Sequence, residues 1–371
     1  MKTLLSLLLT AVLLLSCSGC AWLFDELTLE QAKDYFNNLY LQHEQASNGD
    51  EDDGYVYVED DSSYGFYYDQ LSENSKVVYR CIYLDSKNTD GVSIVFREPL
   101  SFSFSAAEVE QADSTVCQEI AGMVQPALDA LLYDHPHIAW IAMEGEQGST
   151  FRIFSYKETA ADGSMALQIK RLSFQMVYKA ELTETLIEEN EAEMQTAISA
   201  VGAEIGEASD RYEILTALQE HLCRTVTYQS DAPRAHDAAG ALLDRAAVCD
   251  GYAKAFKLLC DAYEIPCVIV AGTATQNGKN EPHAWNCVQM EDGKWYAVDV
   301  TWDDRGEEAK KNYFLVGSGT VTSLSLGHFE NSHQASGKFS AGDYLPFSFP
   351  TLSFFRYTEP VLPNGWQKDG E

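Results

Sequence analysis

Three side chains in the second half of the 371-residue chain have the types that nucleophilic acyl chemistry requires: Cys249, His283 and Asp299. Cys249 stands where a helix is expected to begin. Unpaired backbone N–H groups and the helix dipole favour an anion there, and the thiolate is the nucleophilic form of cysteine. His283 opens an expected strand and Asp299 lies within the next one, so a base and an orienting carboxylate can stand together beside the helix start.

Strand parity sets a condition on that arrangement. If Asp292-Gly293 were a two-residue turn, His283 would pair with Trp302 and Asp299 would face away. A three-residue connection, Glu291-Asp292-Gly293, pairs Met290 with Lys294 and makes Asp299 a diagonal same-face neighbour of His283. The constellation therefore demands the odd-length loop or a bulge.

The elements that must position these residues can be read outward from them. Asp210, with Glu213 three residues on, starts a helix whose apolar stripe is Ile214, Leu215, Leu218 and Leu222. A short strand through Val226 and Tyr228 follows. The next helix, from about Cys249 to Tyr263, has the stripe Ala253, Phe256, Leu259 and Cys260, and Ile265-Pro266 stops it. Three strands are expected next: Cys267 to Gly272, His283 to Met290 and Trp295 to Trp302, separated by hairpin punctuation.

Two stretches carry a family resemblance: "AVCDGYAKAFKLLCDAYEIPCVIVAG" and "HAWNCVQMEDGKWYAVDVTWDD". They resemble the core of the transglutaminase-like superfamily of papain-related cysteine enzymes, over about Asp210 to His328. The resemblance implies a helix bearing the nucleophile packed on an antiparallel sheet. It maps Cys249 to the nucleophile, His283 to the general base and Asp299 to the orienting acid. It further implies attack on an amide carbonyl, release of ammonia or amine, and a thioester that an amine or water resolves. The backbone N–H of Cys249 could serve the oxyanion, with Tyr228 as a candidate second donor. "KNYFLVGSG" and His328 resemble the strand that closes this core. Upstream, "YDQLSENSKVVYRCIYL" and "LLYDHPHIAWI" resemble the N-terminal region of bacterial surface proteins that carry it.

Other residues near the motif have blander readings. Trp285, Trp295 and Trp302 read as core or pocket wall. Asp303 and Asp304 follow the strand and read as capping or solvating a turn. With Glu307 and Glu308 they lack a calcium-loop pattern, so a solvated face is expected. His43, His135, His137 and His333 have no cluster partners and read as surface or structural. Cys260, Cys267 and Cys287 could form a disulfide or remain buried thiols. No spacing reads as a metal site, and no cofactor is expected.

The first twenty residues read as a processing signal. Lys2 precedes an apolar run from Leu4 to Leu15, too short to span a bilayer. The stretch Leu14-Leu15-Ser16-Cys17-Ser18-Gly19-Cys20 resembles a bacterial lipoprotein signal. Cys17 is the favoured lipidation site and Cys20 the alternative, which implies lipid attachment on the extracytoplasmic face of the cell membrane. Setting these two aside leaves seven cysteines of the nine, an odd number, so at least one thiol stays free or pairs between molecules. The net charge of −32 offers no basic field to neutralise phosphates and excludes nucleic acid as a partner.

The chain thus divides into a signal and anchor region (1–20), a helix and acidic linker (21–63), a smaller α+β domain (64–180), a transglutaminase-like domain (181–338) and a strand-like tail (339–371). The fold class is α+β. The expected function is cysteine-dependent acyl transfer on a protein or cell-wall peptide; the alternative is a binding or scaffolding lipoprotein that keeps the fold without turnover.

Overall fold

The structure is a computed structural model that describes residues 12–13, 64–87, 92–141, 149–175, 183–206, 208, 210–276, 278–306, 309–323, 327–337 and 345–358. The expected signal and lipidation residues Cys17 and Cys20, the acidic linker and His43 lie outside these residues. The chain divides into two compact units, Met1–Glu193 with Gly337–Ser348 and Met194–Ser336 with Phe349–Glu371.

In the first unit a sheet has the order β1-β3-β4-β2, with strands β1 (Val12–Leu13), β2 (Val92–Phe104), β3 (Ser149–Thr159) and β4 (Met165–Gln175) paired antiparallel. The alternation in the sequence reads as two strand-like pieces here, Val92 to Phe96 and Leu100 to Phe104. The structure runs them together through an irregularity between Val95 and Leu100, where Pro99 has no N–H to offer the ladder. Helices α1 (Glu73–Leu84) and α2 (Ala112–Asp134) complete the unit. Ser72 caps α1 by accepting from Ser75 N. The buried Asp134 carboxylate accepts from Tyr67 N at 3.0 Å and Tyr68 N at 2.9 Å. Gly65 packs so close to it that a Cβ there would lie 2.2 Å from Asp134 Cγ.

The second unit takes α3 (Glu184–Ile205) from Met194 onward, then α4 (Arg211–Thr225). Asp210 caps α4 by accepting from Glu213 N at 2.9 Å. Short parallel strands β5 (Thr227–Tyr228) and β6 (Ala246–Ala247) bracket a π-helical turn at Gly240–Asp244. Helix α5 (Cys249–Ala262) follows. The main sheet has the order β12-β7-β8-β9, from β7 (Cys267–Gln276), β8 (Lys279–Gln289), β9 (Trp295–Val298) and the edge strand β12 (His333–Ala335). Between them come the one-turn helix α6 (Val300–Asp303), a hairpin of β10 (Val321–Ser323) and β11 (Gly327–His328), and the short α7 (Phe329–Ser332).

The core between α5, α4 and the sheet holds Leu215, Leu218, Leu222, Phe256, Leu259 and Val288, all at 0% exposure. Truncating Phe256 to alanine is expected to cost about 3–5 kcal/mol, read by chemical denaturation. Burial of this stripe fixes the face of α5, and hence the direction from which Cys249 meets the sheet.

Three expected elements differ. Strand β8 begins at Lys279 and pairs with β7 as far as Gln276, so His283 lies inside its strand and does not open it. Strand β9 ends at Val298, not Trp302, because Asp299 leaves the sheet and caps α6, its Oδ1 accepting from Trp302 N at 3.0 Å. The stretch resembling a closing strand bonds β9 only locally, through Ala297 with Val316 and Asp299 N to Tyr313 O. Leu315 interrupts it with a left-handed φ of 48°. The far edge of the sheet is closed by β12 instead.

Candidate active site

Cys249 is the first residue of α5 and is half-buried. Gly251, one turn in, lets the helix start lie against the preceding chain: a Cβ there would sit 2.4 Å from Ala235 O. The sulfur of Cys249 stands beside the His283 ring and helps raise its pKa. His283 Nε2 lies 2.8 Å from Asp299 Oδ2, which leaves Nδ1 as the ring nitrogen for the sulfur.

The hairpin joining β8 and β9 has the three-residue connection. Asn286 pairs with Val298 and Gln289 with Trp295, Met290 N donates to Lys294 O, and Gly293 holds a φ of 75°. That register carries Asp299 to the face of His283 and Trp285. The carboxylate then leaves the strand on the correct side to reach the imidazole.

Asp299 is fully buried. Burial alone would raise its pKa, but the His283 charge and hydrogen bonds from His283 and His333 hold it well below the ordinary carboxylate range. For His283 burial is the largest influence and lowers its pKa. Asp299 first, and Cys249 after it, outweigh burial and leave the imidazole raised to about 10. The site is thus arranged to hold an imidazolium between a carboxylate and a sulfur.

Tyr228 is 57% exposed, and its strand β5 pairs with Ala247, two residues before Cys249. Burial, then the charges of Cys249 and Asp250, push its hydroxyl up to about 12, so it remains a proton donor. Trp302 is half-buried with its ring 5.3 Å from that of His283, and Trp285 is buried with its ring 6.1 Å away. Both are walls of the site.

His333 overturns its reading as a histidine without partners. It is buried, and its Nε2 lies 3.0 Å from the same Asp299 Oδ2 that takes His283. It stands 34 residues beyond Asp299 on another strand, so no local spacing announces it. The sheet brings it in: His333 pairs with Ala274, and Gly272 lies between His283 and Ala335. Strand β7 therefore places only Gly272 and Ala274 between the two imidazoles on this face. His283, Asp299 and His333 have donor atoms within 4.8 Å of one another and could hold a divalent ion. Both imidazole Nε2 atoms already have Asp299 as partner, so an ion would have to displace those hydrogens.

Asp303 also departs from its reading as a solvated turn residue. It is buried, accepting from Gln219 Nε2 at 2.8 Å and from Tyr313 N at 3.0 Å. Burial pushes its pKa up to about 8, against the Tyr313 amide and with the help of Asp299. Asp304 is partly buried and accepts from Tyr252 OH at 2.6 Å. All seven cysteines among the described residues are free thiols. Burial pushes Cys81 up to about 11 and Cys117 to about 12, and raises Cys223 and Cys287 further.

The family described as the transglutaminase-like superfamily matches residues 199–300, a span that contains Cys249, His283 and Asp299. The second unit accordingly has a transglutaminase-like, papain-like fold of helices on an antiparallel sheet. No curated protein matches the sequence. Among solved structures, a TGase shares 14% identity at a TM-score of 0.29, covering 42% of this chain and 46% of its own. A candidate cysteine protease from Cytophaga hutchinsonii shares 17% at 0.27, covering 41% and 64%. The periplasmic domain of TgpA from Pseudomonas aeruginosa, bound to ethylmercury, shares 17% at 0.25, covering 44% and 74%. The chain thus spans under two thirds of the first two. At these scores the fold rests on the family match and not on these structures.

Proposed function

We propose that the second unit is a cysteine-dependent acyl-transfer enzyme with Cys249 as nucleophile, His283 as general base and acid, and Asp299 as the orienting carboxylate. The observation that carries this reading is the placement of Cys249 beside His283, whose Nε2 is in turn bonded to Asp299 Oδ2 at 2.8 Å. In the first half-reaction His283, as the imidazolium, holds the proton that the Cys249 thiol has given up, and the sulfur adds to an amide carbonyl. The C–N bond then breaks, and His283 gives its proton to the leaving ammonia or amine. A thioester remains on Cys249. In the second half an amine or water loses a proton to His283 and attacks the thioester. The C–S bond breaks and the proton stays on His283 beside the freed sulfur.

Two groups support the oxyanion. As the first residue of α5, Cys249 has a backbone N–H without an intrahelical acceptor. Tyr228, protonated up to about 12, offers a second donor. The substrate class is a protein or cell-wall peptide, reached from the extracytoplasmic face of the membrane. The anchor is a lipid on Cys17, or on Cys20, following the apolar run Leu4 to Leu15. Among the described residues no helix is long and apolar enough to cross a membrane.

The test offers a fluorescent primary amine and a cell-surface protein extract to the full chain and to Cys249→Ala. Amine incorporation by the full chain alone identifies transamidation; peptide release or loss of amide without incorporation identifies hydrolysis. If the two chains give the same products, the enzyme reading is lost and the scaffold remains.

A further inference from the structure

Two imidazoles share one oxygen of Asp299, and only His283 faces the sulfur. The second has its own chain of partners. A carboxylate can only accept, so the Nε2 of His333, 3.0 Å from Oδ2, must carry a hydrogen. Burial, the largest influence, holds His333 below the ordinary histidine pKa against the pull of Asp299. On the other side of the ring Ser332 Oγ lies 2.9 Å from Nδ1. That hydroxyl also lies 3.0 Å from Phe329 O. The hydroxyl donates its one hydrogen to that carbonyl, and its oxygen braces the Nδ1 side of the ring.

The ring is also held by its surroundings. Phe329 stacks on it at 4.2 Å between centroids, while Trp302 at 4.6 Å and Trp285 at 5.1 Å meet it edge-on. The latter two rings also wall His283. Strand β12 is pressed onto β7 at Gly272, where a Cβ would lie 2.1 Å from Gln334 O. A side chain held on all these sides fixes the atom it bonds.

We propose that His333 is a positioning residue: held in its cage, its Nε2–H fixes Asp299 Oδ2 so that His283 keeps Nδ1 toward Cys249. The proposal rests on the cysteine-enzyme reading of the same site. A purely structural role would require only an aromatic ring in the cage. A positioning role requires the N–H.

The experiment measures the rate at which iodoacetamide alkylates Cys249 in the full chain, following the Cys249 peptide by mass. His333→Phe keeps the stacking and removes the donor, while His333→Gln restores an amide N–H. The expected result is a roughly tenfold slower reaction for Phe and recovery to within about threefold for Gln, since small misplacements of a reacting pair carry costs of this order. Equal rates for Phe and wild type, or Gln as slow as Phe, overturn the proposal. His283→Ala is the separate control: if it leaves the rate unchanged, the enzyme reading itself fails. Nitrogen-15 histidine spectra of the wild-type chain decide the matter even if the Phe variant does not fold. They should show hydrogen on His333 Nε2, bonded to Asp299. A ring without hydrogen on Nε2 overturns the proposal.

Discussion

Asp299 and Asp303 stand at either end of α6, four residues apart, and both are at 0% exposure. Burial pushes each carboxyl upward, yet they end in opposite states. Asp299 receives two imidazoles and the Trp302 amide, and is held ionised well below its ordinary range. Asp303 receives Gln219 and the Tyr313 amide, with Arg356 as a weaker influence, and burial carries it up to about 8. Depth is the same at the two sites; the chemistry of the donors is not. A cationic imidazole repays the loss of water, and neutral amides do so only in part. One carboxylate can therefore orient a base while its neighbour is a protonated tie in the core.

The same isosteric change should break one site and spare the other. Asp299→Asn presents an amide NH2 toward two imidazole donors, and Cys249 alkylation should fall on the order of a hundredfold or more, as when a triad carboxylate is neutralised. Asp303→Asn replaces a group already largely neutral, and the alkylation rate should stay near that of wild type. Equal losses in both variants would end the distinction.

A smaller effect is expected from Gly272→Ala, which touches neither carboxylate. Its new methyl would strike Gln334 O and lift β12, which carries His333. A loss of about 1–3 kcal/mol in denaturant unfolding is expected for such overpacking. Alkylation should slow while the Asp303 knot stays intact.

The subtlest difference appears in stability against pH. Asp303 titrates near 3.8 when unfolded and near 8 when folded, so its contribution is full below about 4 and is lost as pH rises to about 8. Asp299 has the opposite sign. Its folded pKa is depressed, so its contribution is present above the unfolded value and is lost on acidification. Denaturation midpoints of Asp303→Asn should therefore gain on wild type between about pH 4 and 8. In Asp299→Asn the acid-side loss should be weaker. A midpoint difference for Asp303→Asn that is constant with pH would contradict the raised pKa.

Much of the second unit was legible in order along the chain. The Asp210 cap, the apolar stripe of α5 and the proline stop are local signals and act locally. The parity argument reached further, since a loop of odd length is enough to set which face Asp299 occupies. It did not foresee that Asp299 would leave the strand and cap α6. His333 and the buried Asp303 were not legible. One depends on an edge strand pairing across β7, and the other on Gln219 arriving from α4.

By itself the sequence determined the residue types, the helix that begins at Cys249 and the register that puts His283 and Asp299 on one face. These follow from short-range geometry: capping, periodicity and hairpin length act over a few residues. Tertiary structure alone decided the protonation of the carboxylates and the presence of a second imidazole. Both depend on which donors reach a buried oxygen from distant segments, and on the removal of water that makes those donors count.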